Sequence, residues 1–129
     1  DVCSSDLLVM THPTSSNNQE YLFEAEGCYI SELSNTPADP DVSIAKARVE
    51  PNVTTTWHQL TGVTERYCIL EGTGVVEIGN ETPKNVSVGD VVIIPPMTRQ
   101  RIRNDGTSDL IFLAICNPRF TPECYESIV

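Results

Sequence analysis

His58-Gln-Leu-Thr-Gly-Val-Thr-Glu65-Arg-Tyr-Cys-Ile-Leu-Glu-Gly72 is the stretch on which the reading of this chain turns. Two strand-like runs flank Thr61-Gly62, and a glycine at the second position favours a two-residue hairpin turn. In that hairpin the register sets His58 directly opposite Glu65. Strand alternation puts His58, Leu60, Val63, Glu65, Tyr67 and Ile69 on one face, and Trp57, Gln59, Arg66 and Cys68 on the other. The first face is apolar except for an imidazole, a carboxylate and a phenol. Such groups are costly to bury unless they pair with one another or share an ion. Two readings follow: a buried hydrogen-bonded pair, as core histidines commonly form, or the nitrogen and oxygen handles of a metal or small-molecule pocket.

Outward from this stretch the pattern repeats. Segments 42–50, 53–60, 63–70, 74–78, 91–94, 99–103 and 110–116 hold β-branched and aromatic residues at strand density, separated by Pro51-Asn52, Glu71-Gly72, Gly79-Asn80, Gly89-Asp90, Pro95-Pro96 and Asn104-Asp-Gly106. Short, regularly spaced strands without a helical period predict an all-β, antiparallel sandwich or barrel. Shorter strand-like pieces lie at 21–23 and 28–33 around Gly27, and only 122–128 has room for a helical turn or two. A single domain over 21–129 is expected, preceded by an irregular, polar arm over 1–20 that contains His12. Asp1-Val-Cys-Ser-Ser-Asp-Leu7 matches the in-frame translation of the end of a common sequencing adapter and is read as an assembly artefact, outside the fold.

The charge balance narrows the partners. Eighteen acidic against eight basic residues give a net charge of −10, which disfavours nucleic acid as a partner. No apolar run reaches the roughly eighteen residues that read as a membrane span. Five cysteines at irregular spacing, two of them (Cys68 and Cys116) within apolar strand-like runs, point to buried thiols and a reducing, cytoplasmic setting. Alternation cannot say whether Cys116 reaches the cavity mouth.

A second stretch, Gly89-Asp-Val-Val-Ile-Ile-Pro95-Pro-Met-Thr-Arg-Gln100-Arg-Ile-Arg-Asn104, has a glycine, a proline six on, and an asparagine nine further. It resembles the second signature of the cupin family, as His58, Glu65 and Gly72 resemble the first. Together the two span residues 52–104, and the likeness is to small single-domain bacterial cupins of the conserved-barrel type. The resemblance implies a jelly-roll barrel, or double-stranded β-helix. It also implies a metal set of three histidines and a glutamate, and here this chain departs: Leu60 and Gln100 stand where histidines are usual, and Asn52 and Met97 where glycines are usual. His58, Glu65 and Gln100 are left as candidate ligands for a weakly bound Zn, Mn, Fe or Ni ion. An amide is a much poorer ligand than an imidazole for these metals.

The expected function is that of a small-molecule-binding barrel with a reduced metal site, acting as an isomerase, lyase or oxygenase on a small metabolite, with Tyr67 as a possible acid or base. The competing expectation is a metal-free binding or sensing module. If Gln100 points inward, Arg99, Arg101 and Arg103 form an outer stripe that pairs with carboxylates or forms a homodimer face.

Overall fold

A computed structural model describes residues 19–128. Within them run eleven strands: β1 (Tyr21–Phe23), β2 (Cys28–Ser34), β3 (Ser43–Val49), β4 (His58–Leu60), β5 (Thr64–Glu71), β6 (Thr73–Ile78), β7 (Lys84–Ser87), β8 (Val91–Ile94), β9 (Gln100–Arg103), β10 (Leu110–Asn117) and β11 (Tyr125–Ser127). The one helical element among the described residues is a 3-10 turn, Pro122–Cys124, opened by its proline. Six strands form one sheet in the order β1-β2-β3-β10-β5-β8, and five form the other in the order β11-β4-β9-β6-β7, every pairing antiparallel. The expected all-β sandwich is therefore present. No helix among these residues is long and apolar enough to cross a membrane. His12 and the adapter-like residues 1–7 lie outside the described part.

The expected hairpin is not there. β4 pairs with β9 and β11, whereas β5 pairs with β10 and β8, so the turn at Thr61-Gly62 carries the chain from one sheet to the other. Alternation still assigned the faces correctly: His58, Leu60, Val63, Glu65, Tyr67 and Ile69 are all buried. It could not assign neighbours, because a left-handed glycine (Gly62, φ 71°) serves a crossover as well as a hairpin. His58 and Glu65 thus approach the interior from opposite sheets.

The expected strand over 53–60 is also shorter, beginning only at His58. Before it the backbone bonds elsewhere: Thr55 N–H donates to Ile102 O, the Thr55 hydroxyl accepts from Ile102 N–H, and Thr56 N–H donates to Glu26 O at 3.1 Å. That last bond holds the β1–β2 turn against the barrel. Two strands escaped the sequence reading. β7 is a polar edge strand, with three of its four residues exposed, and β11 is only three residues long.

Val49, Ile69, Ile94, Ile102 and Leu110 fill the main core, each exposed by 1% or less. The motif residues hold its corners. A Cβ on Gly72 would lie 2.6 Å from Asp109 O, so β5 and β6 can turn there only with glycine. Asn104 is wholly buried and spends its amide on backbone, donating to Val49 O and Ser108 O and accepting from Gly106 N–H. Asn52 (φ 67°) and Met97 (φ 59°) sit in the left-handed region, which explains why glycine is usual at those two positions.

On the outer face Arg99 and Arg101 each place a guanidinium about 4.3–4.4 Å from the Trp57 ring centroid, and Arg101 Nε donates to Glu77 Oε2 at 2.6 Å. Contacts within the chain thus engage two members of the arginine stripe, with the carboxylate of the neighbouring strand as one partner.

Candidate functional site

The polar residues of the inward face converge at one end of the barrel. Gln100 lies opposite His58 in the β4–β9 register and reaches across the interior, where its Nε2 donates to Glu65 Oε1 at 2.9 Å. Its Oε1 accepts from the Tyr67 hydroxyl at 2.5 Å. Glu65 Oε2 is approached by the Cys116 thiol at 3.8 Å, from the neighbouring strand β10. A buried chain of donors and acceptors therefore runs Tyr67–Gln100–Glu65–Cys116, with all four residues exposed by 8% or less.

His58 does not join that chain by a direct hydrogen bond. Its Nδ1 lies 2.7 Å from Thr56 O, and its Nε2 lies 3.0 Å from Glu26 Oε1. Both ring nitrogens face oxygen acceptors, an arrangement satisfied fully only when both carry protons. Burial works to lower the imidazole pKa, but the hydrogen bond and charge of Glu26, the Thr56 carbonyl and the charge of Glu65 outweigh it and raise the pKa. Tyr125 stacks on the same ring, with centroids 5.2 Å apart and planes 19° from parallel.

Glu65 is the most perturbed carboxyl of the site. Burial, and then the charge of Glu26, push its pKa to about 7, against the opposing pull of His58, Gln100 and Cys116. The Tyr67 hydroxyl is pushed well above its ordinary value, chiefly by burial and then by the charges of Glu65 and Glu26. The Cys116 thiol is likewise pushed far up by burial and by Glu65, so it stays protonated and inert near neutrality.

Beside this cluster is a cavity of about 310 Å³, walled by β1, β2, β3, β5 and β10 and bordered by Phe120, Pro122 and Tyr125. Glu26, Glu65 and Cys116 reach its wall, and the rings of Phe23 and Tyr125 meet edge to face beside it with centroids 5.2 Å apart. The structure thus places His58, Glu65, Gln100 and Tyr67 at one end of the barrel, with Glu65 on the cavity wall and His58, Tyr67 and Gln100 behind it. Glu26 and Tyr125, by contrast, carried no signal of their own. One is among eighteen acids in an irregular turn, the other lies in a C-terminal piece read as helical, and only tertiary packing brings them to His58.

The geometry also tests whether the cupin metal set fits. A ligating imidazole needs a free lone pair, yet both His58 nitrogens are directed at oxygens. A ligating amide uses its oxygen, yet Gln100 Oε1 faces the Tyr67 hydroxyl and its nitrogen faces Glu65. Leu60 has no donor at all. No group of three or more His, Cys, Asp or Glu side chains among the described residues is arranged to hold a metal ion. These residues, as they are placed, do not fit a tightly held ion.

Comparison with known proteins agrees with the fold. A match to the cupin domain family covers residues 45–116. An uncharacterized protein of Methanocaldococcus jannaschii, MJ1618, is 36% identical over 84 residues, which cover 65% of this chain and 66% of that protein's length. Among solved structures, a predicted oxalate decarboxylase from Thermotoga maritima superposes with a TM-score of 0.74 at 23% identity, covering 83% of this chain and 99% of the other. KdgF from a Halomonas species gives 0.72 at 18% identity, covering 84% and 96%. The nucleoside dehydratase Pac13, of Streptomyces, gives 0.73 at 15% identity, covering 92% of each chain. At such low identity the solved structures attest the shared barrel alone. With the family match spanning more than half of its length, and both signatures placed at the corners of a two-sheet barrel, this chain belongs to the cupin family.

Proposed function

We propose that the protein is a small-molecule-binding cupin whose pocket works through its own hydrogen-bonded side chains, without a tightly bound metal ion. The observation that carries this reading is the pairing of the would-be ligands with other groups: His58 Nε2 with Glu26 at 3.0 Å, and Gln100 Nε2 with Glu65 at 2.9 Å. Cavity size agrees, since about 310 Å³ is at the small end of the range for ligand pockets.

Chemically the pocket offers two polar handles set in a mostly apolar wall. The Glu26 carboxylate, backed by His58, can accept a hydrogen bond or a proton from a ligand while the imidazolium balances the charge. Glu65, oriented by Gln100 and Cys116, presents a second carboxyl that is dry and fixed. Paired acid–base groups of this kind suit proton transfer at a small organic substrate, as a lyase or isomerase requires. They equally suit recognition without turnover. Gln100 positions Glu65 and is itself held by Tyr67, so Tyr67 supports the site from behind instead of serving as its acid. For His58, Glu65 and Gln100 to bind a labile ion, Glu26 would have to release the imidazole and the amide would have to turn over.

Elemental analysis of protein purified without an affinity tag and incubated with excess Zn, Mn, Fe(II) or Ni tests the reading. It predicts a metal content far below one ion per chain after desalting, with no rise in melting temperature. Retention of one ion per chain, together with a rise in melting temperature that is lost in Glu65→Gln, would restore the metal site. The pocket itself is tested by a thermal-shift screen of small metabolites, because anything that binds the native state raises its melting temperature.

A further inference from the structure

The charge around the cavity is one-sided. Glu26, Glu32 and Glu65 reach its wall, while no lysine, arginine or histidine among the described residues lines it. Two of the three carboxylates have cations behind them. Glu26 meets His58 at 3.0 Å, and Glu32 lies in the field of Arg119 and accepts from Asn35. Glu65 differs in its direct contacts: the groups that donate to it are a neutral amide and a neutral thiol, the His58 charge acts on it only through space, and the residue is only 8% exposed. A buried carboxylate costs stability unless a positive partner accompanies it.

The rest of the wall is aromatic and apolar, with the rings of Tyr21, Phe23 and Tyr125 around the space. Aromatic faces attract cations, most strongly where water is excluded. A further atom points to a ligand. The hydroxyl of Tyr125, a residue of the cavity wall, is buried yet has no hydrogen-bond partner among the described residues, an exception to the rule that buried hydroxyls are satisfied. A phenolic oxygen can accept from an ammonium N–H.

From these features we infer that the pocket selects a small organic cation, a primary or substituted ammonium ion carried on an apolar or aromatic body, with Glu65 as its counter-ion and the Tyr125 hydroxyl as a second polar contact. The inference rests on the pocket reading given above and names the ligand class of that same site. An ammonium group supplies a positive partner in direct contact with Glu65, which its present donors do not, and its apolar body replaces water against the rings. An anionic ligand would place its charge among three carboxylates, with no cation among the described residues on the wall to offset it. A neutral ligand would satisfy Tyr125 and leave Glu65 with neutral groups alone in direct contact.

Three probes of one shape and different charge decide the matter: 2-phenylethylamine, 2-phenylethanol and phenylacetate, titrated into the full chain by calorimetry and thermal shift near neutral pH. The amine is expected to bind at least about tenfold more tightly than the alcohol, and phenylacetate to bind most weakly. Glu65→Gln and Glu32→Gln are each expected to weaken the amine while leaving the alcohol within about twofold. Two variants are used so that a folding defect in one, seen in its unliganded melting curve, does not decide the result. Ala114→Phe, which fills the cavity, is expected to abolish all binding. Equal or tighter binding of phenylacetate or the alcohol, lost in Ala114→Phe, overturns the charge selectivity and leaves the pocket reading standing. No binding by any probe, or binding untouched by Ala114→Phe, overturns the inference and the pocket reading together.

Discussion

Between the two sheets, the interior around Ile69, Ile102 and Leu110 is apolar and full, whereas the interior around Glu26, His58 and Glu65 is polar and borders a cavity. Apart from Glu26, which comes from the β1–β2 turn, both regions are products of the same strand alternation, and β5 contributes to both, placing Glu65 and Tyr67 at one end and Ile69 toward the other. At the apolar end each side chain is interchangeable with others of similar volume. At the polar end each group needs one specific partner: Gln100 for Glu65, Tyr67 for Gln100, Glu26 for His58. The first region supplies stability, and the second gives up stability to hold charges in a dry place. Separation of this kind marks a site built into a scaffold.

The difference can be broken at the apolar end. Ile102, with no exposed surface, is expected to lose about 2–5 kcal/mol of stability on change to Ala, measured by urea denaturation, with little effect on the polar groups. A loss below ~1 kcal/mol would mean that the core is looser than described.

At the polar end pH separates the regions. The Glu65 pKa is raised from 4.5 to about 7 in the folded chain, so its contribution to stability is greatest below 4.5 and is lost as pH rises through about 7. His58, also raised, holds its contribution below its unfolded value near 6.5 and loses it as pH rises through the folded value. Stability should therefore fall from pH 4.5 to 8, by up to about 3 kcal/mol on account of Glu65. In Glu65→Gln most of that fall should disappear, leaving the smaller part due to His58. Denaturation midpoints that stay parallel in the two proteins across this range would show that Glu65 titrates normally.

A third change converts the polar end to the form usual in the family. Leu60→His with Gln100→His adds two imidazoles facing the same interior and is expected to raise Zn affinity by at least ~100-fold, since even the outer partners of a metal ligand are each worth about 10- to 100-fold. Isothermal titration checks this, and unchanged affinity would mean that Glu26 keeps His58 out of any metal site. The smallest effect lies on the surface. Met97, held at φ 59° and exposed, should gain ~0.5–1 kcal/mol on change to Gly, because relief of the left-handed strain exceeds the entropy that glycine adds to the unfolded chain.

The contrast between the two ends also shows what was legible in the sequence. Alternation along 58–69 identified every inward residue of β4 and β5, and the β-branched runs 91–94 and 99–103 between turn residues placed β8 and β9. Pairing was not legible, because the hydrophobic pattern of a strand records which face is buried and not which strand lies beside it. For that reason His58 was set opposite Glu65 when its true register partner in β9 is Gln100. Nor was the imidazole's acid legible. Glu26 comes to His58 through the bond from Thr56 N–H to its carbonyl, a contact that no local pattern encodes.

Whether His58 is a hydrogen-bonded partner of Glu26 or a metal ligand can be read from its ring nitrogens. The chain contains only His12 and His58, so a long-range 1H–15N spectrum of the imidazoles resolves it directly. Both His58 nitrogens are expected to carry protons at pH 6, Glu26→Gln to shift the Nε2 resonance and lower the pKa, and one equivalent of Zn²⁺ to change neither signal. A stoichiometric shift of Nε2 to a metal-bound position, with loss of its proton, would contradict that pairing.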